Sequence, residues 1–216
     1  MFTPFGFYED FNPGEILWLT TTPVGSDQDT IISNLIGFGF KVTVVNEGTG
    51  PYDANNYQAV CIHEDVNSST AWNTLSTATR DNTTAGVVIG EQALFDEFLG
   101  GDGAQINTGE NLTMTITPSG ETHPITKNYA GSVDPGNLMQ RWQSTPANGT
   151  ILSTWDGDSS KAIIVVYDIG QDNENNVPQN GRRVTLPVGN QYGSMNSVGE
   201  EIWVRAIRWA AGDTRL

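Results

Sequence analysis

Residues 86–101 read GVVIGEQALFDEFLGG. Four apolar or small residues, Gly86–Ile89, are followed by the polar turn Gly90-Glu91-Gln92. Leu94, Phe95, Phe98 and Leu99 then recur at helical spacing before a Gly-Gly stop. A short apolar run, a turn and an amphipathic stretch closed by glycine predict strand, turn and helix. Val87, Val88 and Ile89 are consecutive and apolar, which predicts a central parallel strand covered by helices on both faces.

Upstream, the same alternation repeats. Residues 15–21 (EILWLTT) predict a buried strand between Pro-Gly and Pro23. Ile31, Ile32, Leu35 and Ile36 mark a helix capped near Ser26 or Asp27 and ended by Gly37 and Gly39. Lys41–Asn46 and Ala59–Ile62 predict the next two strands, and 68–77 a helix carrying Trp72 and Leu75. Strands alternating with helices at this spacing predict a parallel α/β sheet. Downstream the pattern changes. Residues 112–116 predict a strand, 150–155 and 162–168 a hairpin, and 183–186 a last strand. Residues 197–211 predict a terminal amphipathic helix with Ile202, Ala206, Trp209 and Ala210 on one face, and 171–180 an exposed loop. The fold class expected is α/β: a flavodoxin-like three-layer sandwich with a mostly parallel central sheet and an antiparallel hairpin extension in the second half.

Composition narrows the function. The 216 residues carry 25 acidic against 10 basic side chains, a formal charge of -15. Such a surface repels phosphate backbones and anionic lipid, so neither nucleic acid nor a membrane is expected as a partner. One cysteine, Cys61, excludes an intramolecular disulfide and reads as a small buried apolar residue. The opening residues read as no signal peptide, and no apolar run in the sequence approaches the roughly 20 residues of a membrane helix. The four sequons, at Asn67, Asn82, Asn111 and Asn148, read as by-products of an Asn- and Thr-rich surface.

Several of these pieces resemble class I glutamine amidotransferases. Gly86, Gly90, Gln92, Gly100 and Gly101 match their G-I-C-x-G-x-Q strand and elbow, helix and Gly-Gly stop. His123-Pro124-Ile125-Thr126, Ile151-Leu152, the apolar run 162–166, Gly181-Arg182-Arg183-Val184 and the terminal 205–210 resemble, in order, motifs of the trehalose-utilisation (ThuA-like) branch. The resemblance spans about residues 15–212 and implies a single domain over 15–216. It implies elbow geometry around Val88 with the nucleophile position vacated, because valine has no lone pair to attack a carbonyl. No histidine follows His123, and Glu91 stands at the His position of G-x-H-Q.

Ligands of open α/β sheets bind beyond the carboxyl ends of the strands. There the candidate ligand-binding residues are Thr21, His63, Glu91 and Gln92. His63, Asp65 and Glu91 are the alternative catalytic or metal-holding set, set against their reading as capping and loop residues. No metal and no cofactor is expected. His123, held extended by Pro124, reads as a loop anchor. Residues 1–14 form an aromatic arm in which Phe2, Phe5, Phe7, Tyr8 and Phe11 are broken up by Pro4, Gly6 and Pro13. They must cover either their own domain or another copy or partner chain, and are the candidate partner-binding residues. Two function classes follow. One is a non-catalytic structural or interaction protein in a homo- or hetero-oligomeric assembly, with a bacteriophage virion (capsid-decorating or tail) as the imagined setting. The other is a ThuA-like hydrolase or isomerase, or a binding module, for a sugar-related ligand. Virion and cytoplasm are the locations considered.

Overall fold

The computed structural model describes residues 13–21, 26–105, 113–136, 140–186 and 195–216. In chain order these hold β1 (Glu15–Thr20), α1 (Ser26–Gly37), β2 (Lys41–Asn46), β3 (Ala59–Ile62), α2 (Ser68–Thr74), α3 (Thr77–Arg80), β4 (Gly86–Ile89) and α4 (Phe95–Leu99). Then come β5 (Gly103–Gln105), β6 (Met114–Ile116), α5 (Pro118–Thr122), β7 (Ser132–Val133), β8 (Gln140–Trp142), β9 (Thr150–Ile151), β10 (Ser153–Trp155), β11 (Val165–Tyr167), β12 (Arg183–Thr185) and α6 (Ser197–Ala210).

The main sheet has seven strands in the order β2-β1-β3-β4-β12-β11-β9. The first five are mutually parallel, and β11 and β9 continue antiparallel. The order reverses beside β1, which places a crevice at the carboxyl ends of β1 and β3. Alternate residues of each strand feed two cores. Ile16, Trp18, Cys61, Val88 and Val184 face α1 and α6. Leu17, Leu19, Val60, Ile62, Val87 and Ile89 face the other layer, with Leu94, Phe95 and Phe98. Because both faces are covered, the strands read as continuous apolar runs rather than as alternation.

The predicted α/β class, the mostly parallel sheet and Val88 in a central strand all agree with the structure. Other details differ. The 68–77 helix is two, α2 and α3, divided at Leu75, whose backbone is extended. The hairpin forms, but its halves serve different sheets: β9 pairs with β11, whereas β10 pairs with β6 in a separate three-stranded sheet β10-β6-β7. The stretch 171–180 is not simply exposed. Asn173 and Gln179 are buried, and Glu174 accepts from the Tyr167 hydroxyl at 2.7 Å and from the Ala147 backbone at 2.7 Å. Helix α6 is buried from Ile202 to Ala210, not along a single stripe, because the long stems of Arg205 and Arg208 lie against the protein.

Candidate functional site at the strand ends

The elbow expected at Val88 is absent. Val88 sits inside β4, fully buried, in register with Cys61 on one side and Val184 on the other. A nucleophile elbow needs a strained strand-to-helix turn at the reacting residue. Among the described residues only Asp156 and Asn176 combine a side chain with a positive φ. A β-branched residue is the poorest candidate for such backbone. The strand instead runs straight to Gly90, whose N–H continues the ladder to the Ile62 carbonyl at 2.8 Å.

Beyond the strand ends, β1 and β3 bring polar groups together around Asp65. Its carboxylate accepts from Thr20 Oγ1 at 2.9 Å, Thr21 Oγ1 at 2.9 Å and Gln28 Nε2 at 3.0 Å. His63 Nδ1 lies 3.1 Å from Asp65 Oδ1. Burial works to raise the Asp65 pKa, but the hydrogen bonds and the imidazole outweigh it and hold the carboxyl at about 2. The Asp65 backbone nitrogen is also 3.3 Å from His63 Nδ1. One tautomer cannot serve both, and the neighbouring carboxylate favours the proton on Nδ1.

The far side of the imidazole is enclosed by aromatic rings. The Trp18 ring stacks 5.9 Å from His63 at 27°, and the Trp203 ring lies 5.6 Å away on the other element, α6. Trp18 Nε1 donates to Gln28 Oε1 at 2.8 Å, so Gln28 ties the ring to Asp65. Trp203 reaches the strand ends because position 90 has no side chain: a Cβ there would stand 2.9 Å from Trp203 Cη2 and 2.9 Å from the Glu64 nitrogen. His63 is only 3% exposed, and its Nε2 is buried with no hydrogen-bond partner among the described residues.

Of the residues singled out in the sequence, Thr21, His63 and Asp65 therefore meet in one network. Glu91 stands at the neighbouring strand end but does other work. Its carboxylate caps the turn after β4, accepting from the Ala93 N–H at 3.0 Å, and burial raises its pKa. Gln92 begins that turn. Among the described residues no group of three His, Cys, Asp or Glu side chains is placed to hold a metal. The arm residues Phe2, Phe5, Phe7, Tyr8 and Phe11 lie outside the described residues. His123 is distant in role: Nδ1 accepts the Ile125 N–H at 3.3 Å, its ring meets the Trp209 edge at 4.9 Å, and burial depresses its pKa to about 4. Trp18, Gln28 and Trp203 were not legible as site residues. Trp18 and Trp203 look like ordinary core positions, and only the tertiary fold stacks them on His63.

Similarity to solved structures agrees with this architecture. A ThuA-like protein from Bacteroides uniformis superposes with a TM-score of 0.57 over 99% of this chain and 97% of that one, at 14% identity. A GMP synthase subunit protein from Thermoplasma acidophilum gives 0.58 over 91% and 94%, at 8% identity. PurLQS from Thermotoga maritima gives 0.51 over 91% and 97%, at 10% identity. This is a glutamine amidotransferase-like fold. At these identities the likeness speaks for the fold alone. No protein-family model and no curated protein matches the sequence. Among the described residues no helix is long and apolar enough to cross a membrane.

Proposed function

We propose that this chain is a non-catalytic interaction protein on a glutamine amidotransferase-like scaffold, acting through its surface within a larger assembly. The observation that carries the reading is Val88, a buried valine in regular strand where the resemblance puts a nucleophile. The strand-end cluster supports it. Asp65 is saturated with donors, and the space over Gly90 is filled by Trp203 rather than left for a substrate. The setting of a bacteriophage virion rests on composition alone.

The test is chemical. Val88→Cys restores the thiol but not the elbow, so it should fold with a loss of no more than about 1.5 kcal/mol and release no ammonia from glutamine. Wild type should behave likewise toward glutamine and toward sugar-derived substrates. Turnover that disappears in His63→Ala, or glutaminase activity in Val88→Cys, would overturn the reading.

One observation favours a second reading, the ThuA-like enzyme or sugar-binding module. A buried nitrogen with no partner needs an explanation, and His63 Nε2 is such an atom with Asp65 behind it. In the Nδ1–H tautomer it carries a lone pair that a ligand hydroxyl could reach only if the enclosing Trp203 ring moved aside. Saturable sugar binding lost in His63→Ala would establish it.

A further inference from the structure

Strand β2 ends the main sheet on one side. The Lys41 N–H donates to the Gly14 carbonyl and the Glu47 N–H to the Thr20 carbonyl, each at 3.1 Å. Backbone direction alternates along a strand, so Lys41, Thr43, Val45 and Glu47 turn toward β1, and Val42 and Val44 turn their N–H and C=O outward. Among the described residues nothing pairs with that outer side. Natural edge strands are blunted by charge, proline or a bulge. Residues 42–46 read VTVVN, with no charge and no proline, and their register on β1 is unbroken. Helix α1 lies over β1 and β2: Ile31 and Leu35 share a core cluster with Ile16 and Trp18, and Val42 packs against it. Asn34 and Phe38 of this segment turn toward α6, with which they line a groove. Ile36 is two residues from each, about 160° round the helix from both, so it faces the open side beyond β2. Ile36 is 55% exposed and Val44 37%.

We propose that the β2 edge pairs antiparallel with the β2 edge of a second copy about a two-fold axis, joining two seven-stranded sheets into one. The inference gives the interaction reading above a partner. Register, layering and charge each select a copy. A two-fold axis at Thr43 sets Val42 opposite Val44 of the copy and Val44 opposite Val42. The outward N–H and C=O groups of both residues are then matched in full. A strand paired with itself in this way is isologous and closes as a dimer.

The same axis keeps each face of the sheet on its own side, so the two α1 helices become neighbours. At two to three strand spacings they stand about 10–14 Å apart, within reach of long apolar side chains. Ile36 then meets the helix of the copy. A lone added strand would satisfy the backbone of Val42 and Val44 but leave Ile36 in water. Copies at -15 repel one another over most of their surface, and the uncharged strip 42–46 is where they approach at least cost. Lys41 and Glu47 at its ends are already engaged in their own chain, with Glu15 and with the Asn67 N–H. The contact therefore rests on backbone hydrogen bonds and apolar surface, not on ion pairs. It is about 20 Å long and buries on the order of 1,000 Å² over both copies, the low end for a specific interface. The dimer is accordingly a reversible one.

The test is sedimentation velocity on the full chain from about 1 to about 200 µM, the range in which a reversible dimer of this size shows itself. The mass should rise toward twice that of one chain with concentration, and stay at one chain in Val44→Lys. Mild oxidation of Thr43→Cys should also link two chains through position 43. Directly opposed residues without mutual hydrogen bonds stand about 4.5 Å apart at Cα, within disulfide reach. Thr43 donates to Glu15, which keeps its Lys41 partner when the hydroxyl is removed. Cys61, the natural thiol, is fully buried. Ile169→Cys, exposed beyond β11, is the control and should link several-fold less. A single-chain mass over the whole range with no linked dimer would overturn the inference. So would a dimer that persists in Val44→Lys, or one that links at 169 as readily as at 43, because another face would then hold it. Circular dichroism shows that each variant is folded before it is scored, and either variant alone decides if the other does not fold. Mass and cross-linking are indifferent to turnover, so this inference and the non-catalytic reading fail separately.

Discussion

Asp65 is an ionised carboxylate in a nearly closed place, and it persists there because two hydroxyls, an amide and an imidazole converge on it. Its folded pKa, about 2, lies below the unfolded value of about 3.9. The stabilisation is thus fully present above pH ~4 and is lost as the pH falls toward 2. A shift of that size corresponds to about 2.5 kcal/mol. Asp65→Asn should therefore be less stable than wild type at pH 7, and the gap should narrow by most of this amount by pH 2.5. Urea unfolding at a series of pH values checks it. A gap independent of pH would show that the carboxylate charge is not what the site stabilises. Gly90 shows the same scale from the other side, since only a missing side chain lets Trp203 reach His63.

At the scale of elements, β4 and α6 meet tightly at Gly86. A Cβ there would stand 2.2 Å from the Ala210 carbonyl oxygen, a backbone atom that cannot swing aside. Gly86→Ala should force helix and strand apart and cost about 1–3 kcal/mol, the usual toll of overpacking. Gly37→Ala is the control, since a Cβ there meets nothing within 4 Å. If denaturant midpoints show the two variants equally stable, the β4–α6 contact is looser than described. The glycine at 86 was visible in sequence as a motif residue. Its physical reason, a helix carbonyl against the strand, was not, because Gly86 and Ala210 are far apart in the chain.

For the whole molecule, the dominant electrostatic fact is the charge of -15. Like charges repel in the compact state, and salt screens them over a Debye length of about 10 Å at 0.1 M. Raising the ionic strength from about 0.01 M to about 0.5 M should raise the Tm by a few degrees, read by circular dichroism at fixed protein concentration. A fall in Tm would mean that the ion pairs, such as Arg208 with Asp213 at 2.7 Å, outweigh the repulsion. The parallel sheet and the hairpin extension were legible at this scale. The division of β9 and β10 between two sheets was not, since Leu152 between them carries no turn signal and the switch depends on where β6 and β11 lie.

Local sequence determined the strands of the parallel half of the sheet, the helices that follow them and their order along the chain. Runs such as Ala59–Ile62 and Gly86–Ile89 admit only buried strands, and the alternation with helices leaves few topologies for a parallel sheet. It also determined that position 88 holds no nucleophile, since that is a matter of side-chain chemistry. The tertiary structure alone decided that position 88 has no elbow, that Thr20, Thr21, Gln28 and Asp65 form one network, and that Trp18 and Trp203 enclose His63. These depend on φ angles and on contacts between residues up to 185 positions apart, such as Trp18 and Trp203. Hydrophobic periodicity records which face of an element is buried, not which residue of another element it meets.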